Sequence, residues 1–222
     1  MKVYTDSCLF GAWIADWLQQ NKPQTQSILD IGCGTGLLSL MLAQKLPAAT
    51  IDAVEIESLC FEQAKTNISQ SHWRERIQIH HCDINEFAPQ IKYDVIISNP
   101  PFYELDLLGK NNAKNIAHHH AGLTLLTLIK AVKTFLSDDG CFALILPYHR
   151  STEFENLAEK DRFFVNRKTS VKQTTTHSYF RTFSIFSTNK TNSGEDEIAI
   201  KDIDDKYTDV FISLLKDYYL YL

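Results

Sequence analysis

A strand that must stop at a double proline constrains the fold of this chain more than any other feature. The apolar run at residues 93–97 leads through Ser98 into Asn99-Pro100-Pro101. Proline has no amide hydrogen, so two consecutive prolines cannot continue a buried strand. The residue before a proline is also held in extended geometry. The sequence therefore predicts that Asn99 lies at a strand end, at the start of a rigid corner.

This corner carries groups that suit a flat ligand. The Asn99 side chain and the Pro100 carbonyl are two hydrogen-bond acceptors with little freedom to relax, and Phe102 adds an aromatic ring beside them. Together they form a candidate socket for a planar group that bears an NH2. An ordinary loop corner is the alternative interpretation, and a second signal upstream favours the socket.

That second signal is a strand, a glycine turn and a helix in succession. An apolar strand at residues 27–31 runs into Gly32-Cys33-Gly34-Thr35-Gly36, and residues 37–46 are predicted to be helical. In doubly wound α/β folds such a turn lets a ligand approach the backbone closely. The dinucleotide fingerprint needs glycine at its sixth position, where this chain has Leu37, and no Gly-Lys-Ser/Thr follows. A nicotinamide cofactor and a P-loop nucleotide are therefore disfavoured.

Carboxylates stand at the ends of the next two predicted strands. Glu55 can accept hydrogen bonds from both hydroxyl groups of a ribose. Glu57 is a competitor for that role, and the alternative role of Glu55 is to cap the helix that begins near Ser58. Asp83 can accept a hydrogen bond from an adenine amino group, or it is a plain turn carboxylate.

Four strands thus deliver Gly32, Glu55, Asp83 and Asn99 to one edge of a sheet. This is the carboxyl edge, where open α/β sheets hold their ligands. The remaining predicted elements are helices at 8–18, 59–68, 123–136, 152–160 and 207–222, a fifth strand at 141–146, and a hairpin at 163–171 and 178–186. The order of elements predicts an α/β protein with one sheet and helices on both of its faces.

Composition limits the remaining possibilities. The 222 residues, 44% hydrophobic and 22% charged, predict a single domain over residues 1–222. No apolar run spans a membrane and no signal peptide opens the chain, so we expect a cytoplasmic protein without membrane contact. His118-His119-His120 is a solvated loop end or, less favoured, a metal ligand. We predict no metal site and read the unpaired cysteines as small buried apolar residues: Cys8, Cys33, Cys60, Cys82 and Cys141.

Basic residues concentrate in two stretches although the net charge is −5. Residues 162–194 contain no acidic residue, and the loop after Phe102 is rich in lysine and asparagine. We predict RNA contact there, the alternative being a solvated hairpin edge protected by its charges. The candidate RNA-binding residues are Lys110, Lys114, Arg162, Arg167, Lys168, Lys172 and Arg181.

The glycine turn, Glu55, Asp83 and Asn99-Pro100-Pro101-Phe102 together resemble the motifs of Rossmann-like S-adenosylmethionine-dependent methyltransferases that modify exocyclic or amide nitrogens. More narrowly, the opening residues 1–13, with residues 28–36, 98–102 and 144–147, are similar to the bacterial tRNA1(Val) adenine-37 N6-methyltransferases. The family usually has a short aromatic and basic segment before Lys2-Val3, so we expect that an element is missing or that the true start lies upstream. Many members also have Tyr in place of Phe102.

The resemblance implies a Rossmann-like, seven-stranded, mostly parallel sheet whose last strand is antiparallel. It also implies N6-methylation of an adenine in tRNA with S-adenosyl-L-methionine, which becomes S-adenosyl-L-homocysteine, without an obligate protein partner. Catalytic roles are implied for Asn99, Pro100, Pro101 and Phe102. Cofactor contacts are implied for Thr5, Asp30, Gly32, Gly34, Gly36, Glu55, Asp83, Ile84 and Asn99.

Related activities remain open at this point. Guanine-N2 methyltransferases of ribosomal RNA also use Asn-Pro-Pro-Phe, and protein-glutamine N5-methyltransferases use a similar Asn-Pro-Pro-Tyr. An rRNA adenine-N6 methyltransferase is a further alternative. The basic stretches favour RNA over protein. A catalytically silent RNA-binding module is disfavoured, because it would not need to keep Asn99, Glu55 and the glycine turn.

Overall fold

The computed structural model describes residues 4–101, 123–191 and 194–221. Its α-helices and strands alternate from the first helix to the third strand, and the fourth strand then follows the third with no α-helix between them. The α-helices of the described ranges are α1 (Thr5–Asn21), α2 (Leu37–Lys45), α3 (Ser58–Ser69), α4 (Leu125–Phe135), α5 (Ser151–Lys160) and α6 (Asp209–Leu215). The strands there are β1 (Ser27–Ile31), β2 (Thr50–Glu55), β3 (Ile77–His81), β4 (Tyr93–Ser98), β5 (Leu136–Pro147), β6 (Phe164–Thr174), β7 (Tyr179–Ser187) and β8 (Gly194–Lys201).

All eight strands of the described ranges belong to one sheet, in the order β3-β2-β1-β4-β5-β7-β6-β8. Neighbouring strands are parallel except that β7 is antiparallel to both β5 and β6. This confirms a mostly parallel α/β sheet with helices around it and one late antiparallel strand. The predicted count of seven strands is corrected to eight, and the antiparallel strand is the seventh rather than the last.

The extra strand, β8, escaped prediction because its sequence is polar. Glu195-Asp196-Glu197 looked like a solvated acidic tail, yet these residues pair in parallel with residues 168–170 of β6. Backbone hydrogen bonds do not depend on side-chain polarity, so an edge strand can be acidic. The closing helix is also shorter than expected, since α6 covers only Asp209–Leu215 of the predicted residues 207–222.

Side chains from the two faces of the sheet form two apolar cores. Alternation along a strand sends Ile28 to one face and Leu29 to the other. Helices α1, α2, α3 and α6 cover the first face, and α4 and α5 cover the second. On the first face the ring of Phe183 lies 5.3 Å from the Phe10 ring and 5.5 Å from the Trp13 ring, measured between centroids. This contact attaches α1 to β7.

The cysteines follow the prediction only in part. Cys8, Cys33 and Cys141 are buried and free, whereas Cys60 and Cys82 are free but half-buried. Within residues 4–101, 123–191 and 194–221, no group of three or more His, Cys, Asp or Glu side chains could hold a metal ion. His118-His119-His120 lies outside these ranges. None of the helices described here is long and apolar enough to cross a membrane.

Replacing Phe183 with Ala tests the packing of α1 on β7. We expect Phe183→Ala to lower the free energy of unfolding by about 3–5 kcal/mol, because it empties a fully buried ring site. Urea denaturation followed by circular dichroism measures the loss. The control Ile203→Ala alters a side chain that is 78% exposed and should change stability by less than about 0.5 kcal/mol. Equal losses in the two variants would contradict this account of the core.

Candidate functional site

The site forms where β1 ends between β2 and β4. Ile31 is paired with Val54 on one side and with Ser98 on the other. Gly32 N–H continues the pattern by donating to the Val54 carbonyl over 2.9 Å. The order of strands places the residues that follow β1, β2 and β4 at one edge, as the sequence predicts.

All three glycines of the turn adopt positive φ. The values are 70° for Gly32, 58° for Gly34 and 80° for Gly36, a region that side chains with a Cβ rarely adopt. Gly36 is also the N-cap residue of α2. A Cβ added to Gly32 would make an ordinary contact with Leu123 Cδ2 at 3.7 Å, so crowding does not exclude a side chain there. Backbone conformation is therefore what favours glycine at these positions.

Glu55 is fixed against the glycine turn. Its Oε2 accepts from Gly34 N–H over 2.7 Å and its Oε1 accepts from Glu57 N–H over 2.8 Å. The residue is buried, and each carboxylate oxygen keeps a further lone pair for a ligand. Glu57, by contrast, is exposed and caps α3 by accepting from Cys60 N–H, a bond that lowers the pKa of Glu57. The capping role considered for Glu55 thus belongs to Glu57.

Asp30 is a buried carboxyl group with one unpartnered oxygen. Ser39 Oγ donates to its Oδ2 over 2.6 Å. Its Oδ1 is fully buried and has no hydrogen-bond partner in the described part of the chain. Burial raises the pKa of Asp30 to about 7, against the hydrogen bonds from Ser39, and the charge of Glu55 adds to the rise. An unpartnered buried acceptor of this kind suits a cationic ligand group.

Asp83 and Ile84 follow β3. The backbone and side-chain amides of Asn85 both donate to Asp83 Oδ1 over 2.8 Å, which leaves Oδ2 available as an acceptor. Ile84 is buried in the apolar core together with Ile31 and Val54. Asp83 is thus a fixed acceptor at the carboxyl edge, whereas the Ile84 side chain belongs to the buried core.

Asn99 has the predicted position at the end of β4. Ser98 Oγ donates to the Ile31 carbonyl over 2.8 Å and ties this strand end to β1. Asn99 Nδ2 donates to Ser7 Oγ over 2.9 Å. Pro100 is buried and Pro101 is exposed. Phe102 lies outside the described residues, so its predicted role stays a prediction.

Sequence reasoning missed Ser7 as a neighbour of the site. It lies in the first turn of α1, near Thr5, which the resemblance implies as a cofactor contact. Thr5 begins α1 and is exposed. The Thr-Asp-Ser stretch gave no signal of its own, because Ser7 and Asn99 lie 92 positions apart.

Most of the predicted RNA-binding residues in the described ranges form ion pairs. Arg167 pairs with Asp196 at 2.5 Å, Lys168 with Glu155 at 2.7 Å, Lys172 with Glu197 at 3.0 Å and Arg181 with Asp6 at 2.7 Å. Arg162 is exposed, and Lys110 and Lys114 lie outside the described ranges. The stretch contains no acidic residue in sequence, but in the fold β8, α5 and α1 place acidic side chains next to it. The charge argument for RNA contact therefore weakens at these four positions.

A cavity of about 340 Å³ lies elsewhere, beside β2 and β3. Asp52 at its wall accepts hydrogen bonds from the Tyr93 hydroxyl over 2.8 Å and joins His80 Nε2 at 2.6 Å. None of the predicted site residues lines this cavity. The polar side chains of Asp52, His80 and Tyr93 at its wall are hydrogen-bonded to one another. The cavity is separate from the glycine turn.

Comparison with known proteins agrees with this arrangement. Residues 12–167 match the family described as "Methyltransferase small domain". A tRNA1(Val) (adenine(37)-N6)-methyltransferase of Pseudoalteromonas translucida is 39% identical over 99% of this chain and 92% of its own length. Another, from Flavobacterium psychrophilum, is 37% identical over 99% of this chain and 93% of its own length.

Solved structures support the fold. The crystal structure of a predicted O-methyltransferase from Agrobacterium tumefaciens matches with a TM-score of 0.73 and 16% identity, over 96% of this chain and 97% of that one. A putative RNA methyltransferase from Pyrococcus horikoshii matches with a TM-score of 0.58 and 18% identity, over 82% and 84% of the two chains. At these identities the likeness concerns the fold alone.

Fold and sequence together place the chain among the methyltransferases with a methyltransferase small domain. The near full-length relatives narrow this class. The chain belongs to the family of tRNA1(Val) (adenine(37)-N6)-methyltransferases.

The raised pKa of Asp30 predicts how stability depends on pH. Its pKa is about 7 in the folded protein against an ordinary 3.8, so the folded state binds more protons between these values. Stability should therefore fall as pH rises from about 4 through 7. In Asp30→Asn this fall should largely disappear, measured as urea midpoints from pH 4 to 8. The exposed control Asp204→Asn should keep the slope, and an unchanged slope in Asp30→Asn would refute the assignment.

Proposed function

We propose that this protein transfers a methyl group from S-adenosyl-L-methionine to N6 of adenine 37 in tRNA1(Val), releasing S-adenosyl-L-homocysteine. The curated relatives over nearly the full chain carry this activity in their names. The single observation in the structure that supports it is the Asn99 carboxamide at the end of β4. Its NH2 group is bound by Ser7, so its oxygen is left as an acceptor beside the Pro100 carbonyl.

The target amine is a poor nucleophile until it is held correctly. The lone pair of adenine N6 is delocalised into the ring. Acceptors at Asn99 Oδ1 and the Pro100 carbonyl would bind its two N–H groups, favour a more pyramidal nitrogen and direct the lone pair toward the reacting methyl. Orientation of this kind contributes ~7–11 kcal/mol in well-oriented reactions, so rigidity at Pro100-Pro101 matters more than a strong base.

No base is required before attack, because the nitrogen becomes acidic only after its new bond forms. The C–S electron pair stays on the sulfur of S-adenosyl-L-homocysteine, and the methylated nitrogen then loses one proton to solvent water, while Asn99 and the Pro100 carbonyl would act only as hydrogen-bond acceptors. Phe102 would stack on the adenine once it leaves the RNA stack, a contact worth about 1–3 kcal/mol per base.

The cofactor fits the residues on the carboxyl edge. S-adenosyl-L-methionine supplies an electrophilic methyl group on a positively charged sulfur. Glu55 would accept from the ribose hydroxyls, and Asp83 Oδ2 from the adenine amine. The unpartnered Asp30 Oδ1 has the charge needed near a cationic group. Positive φ at Gly32 and Gly34 would let the backbone come close to the cofactor.

Replacement of Asn99 tests this proposal. Asn99→Ala should lower kcat at least about 100-fold, since it removes an acceptor aimed at the reacting amine. Its affinity for S-adenosyl-L-methionine should change little. Labelled methyl transfer to bulk tRNA, rRNA and release factor measures turnover, and nucleoside analysis identifies the product as N6-methyladenosine.

Asn21→Ala is the matched control for this experiment. Asn21 is exposed at the far end of α1, where its Nδ2 donates to the Trp17 carbonyl. This variant should keep full activity. Near-normal turnover in Asn99→Ala would defeat the role given to Asn99, while methylation of rRNA or release factor instead of tRNA would overturn the substrate.

Cofactor affinity should also depend on the protonation of Asp30. Below about pH 7 the carboxyl is neutral, so binding of a cationic group must first expel its proton. We expect the Kd for S-adenosyl-L-methionine to rise by up to about tenfold per unit as pH falls from 7 to 5. Calorimetry at several pH values measures this. Asp30→Asn should bind weakly and lose most of the pH dependence; a wild-type Kd that stays constant would exclude this role.

A further inference from the structure

We propose that Ser7 is a positioning residue for methyl transfer, because its hydroxyl holds the Asn99 carboxamide in place and leaves the carboxamide oxygen for the substrate. This inference rests on the proposed function of Asn99 and adds a residue from a distant part of the chain. It follows from one hydrogen bond, in which Asn99 Nδ2 donates to Ser7 Oγ over 2.9 Å.

The two ends of a carboxamide have opposite chemistry. The oxygen accepts hydrogen bonds, while the nitrogen only donates them. A rotation of 180° about the last side-chain torsion of Asn99 exchanges these ends with almost no change in shape. Only the orientation that turns the oxygen toward the substrate can accept a hydrogen bond from an exocyclic amine. In the other orientation two N–H groups would face each other, and the amine would be repelled.

Ser7 holds the accepting orientation that the structure shows. With Nδ2 bound to its hydroxyl, Oδ1 of Asn99 is left for another donor. To reverse the carboxamide this bond must break and the hydroxyl must turn to donate to Oδ1 instead. Ser7 is itself buried, so water does not easily replace the hydroxyl as a partner. Pro100 stiffens the backbone of Asn99 but leaves the side-chain torsion free, so the double proline alone cannot hold the carboxamide in place.

The turn of α1 that carries Ser7 is held in place by its neighbours. Asp6 accepts from Arg181 Nε of β7 over 2.7 Å, with both side chains at most 24% exposed. The other Asp6 oxygen accepts from Ser7 N–H over 3.0 Å. Arg181 thus connects the central sheet to the serine that binds Asn99. The hydroxyl of Ser7 is therefore presented from a fixed backbone.

A set of Ser7 variants tests the proposal. Ser7→Ala should lower kcat about tenfold, while the Kd for S-adenosyl-L-methionine and the KM for tRNA change less than about twofold. Ser7→Thr keeps the hydroxyl and should restore most of kcat. Thr25→Val is the matched control, since it removes a buried hydroxyl that donates to the Lys22 carbonyl before β1 and should leave kcat unchanged.

A measurement without turnover separates orientation from general stability. The Asn99 side-chain NH2 signal in a ¹⁵N spectrum, assigned by its loss in Asn99→Ala, should shift and exchange faster with water in Ser7→Ala but not in Ser7→Thr. Urea denaturation checks that each variant is folded. If Ser7→Thr is unfolded, Ser7→Cys takes its place and should recover part of the loss.

The outcomes distinguish this proposal from the function on which it rests. Full activity of Asn99→Ala would remove the catalytic role of Asn99 and with it the reason for Ser7. If Asn99→Ala is inactive but Ser7→Ala keeps full kcat and an unchanged Asn99 signal, only the role of Ser7 is wrong. Equal losses in Ser7→Ala and Ser7→Thr, with both variants stably folded, would also overturn it.

Discussion

The parallel pairing of β1 with β2 and β4 is the constraint on which the rest of the structure depends. It brings the ends of strands that are distant in sequence to one edge of the sheet. Backbone hydrogen bonds set the register, so Ile31 lies between Val54 and Ser98. The glycine turn then leaves β1 directly beside the residues that end the neighbouring strands. Without this register the site would be a set of unrelated loops.

Two buried carboxyl groups at the site are electrostatically unfavourable, and a cationic ligand would lower that energy. Glu55 and Asp30 are both buried, and their charges raise each other's energy. Glu55 is compensated by the amides of Gly34 and Glu57, whereas Asp30 Oδ1 finds no partner in the described part of the chain. Buried carboxyl groups with incomplete compensation are found mainly at functional sites. The carboxyl edge thus carries incompletely compensated carboxyl groups where we propose that the cofactor binds.

Polar contacts between distant elements connect the carboxyl edge of the sheet to strand β7. The first turn of α1 joins Asn99 through Ser7 and joins β7 through Asp6 and Arg181. Arg181 is a predicted RNA contact, and in this structure its guanidinium binds the carboxylate of Asp6. The same holds for Arg167, whose partner Asp196 lies on β8. Surface pairs of this kind contribute little stability each, but they remove free positive charge from the hairpin.

The sequence by itself determined the strand ends, because prolines and glycines restrict the backbone locally. The double proline fixed the end of β4, the glycine turn fixed the end of β1, and apolar runs gave the parallel sheet. Tertiary structure alone decided the partners of polar side chains. Strand β8, the ion pairs of the basic stretch and the bond from Asn99 to Ser7 join residues far apart in the chain. Their formation depends on sheet order and helix packing, which no local pattern records.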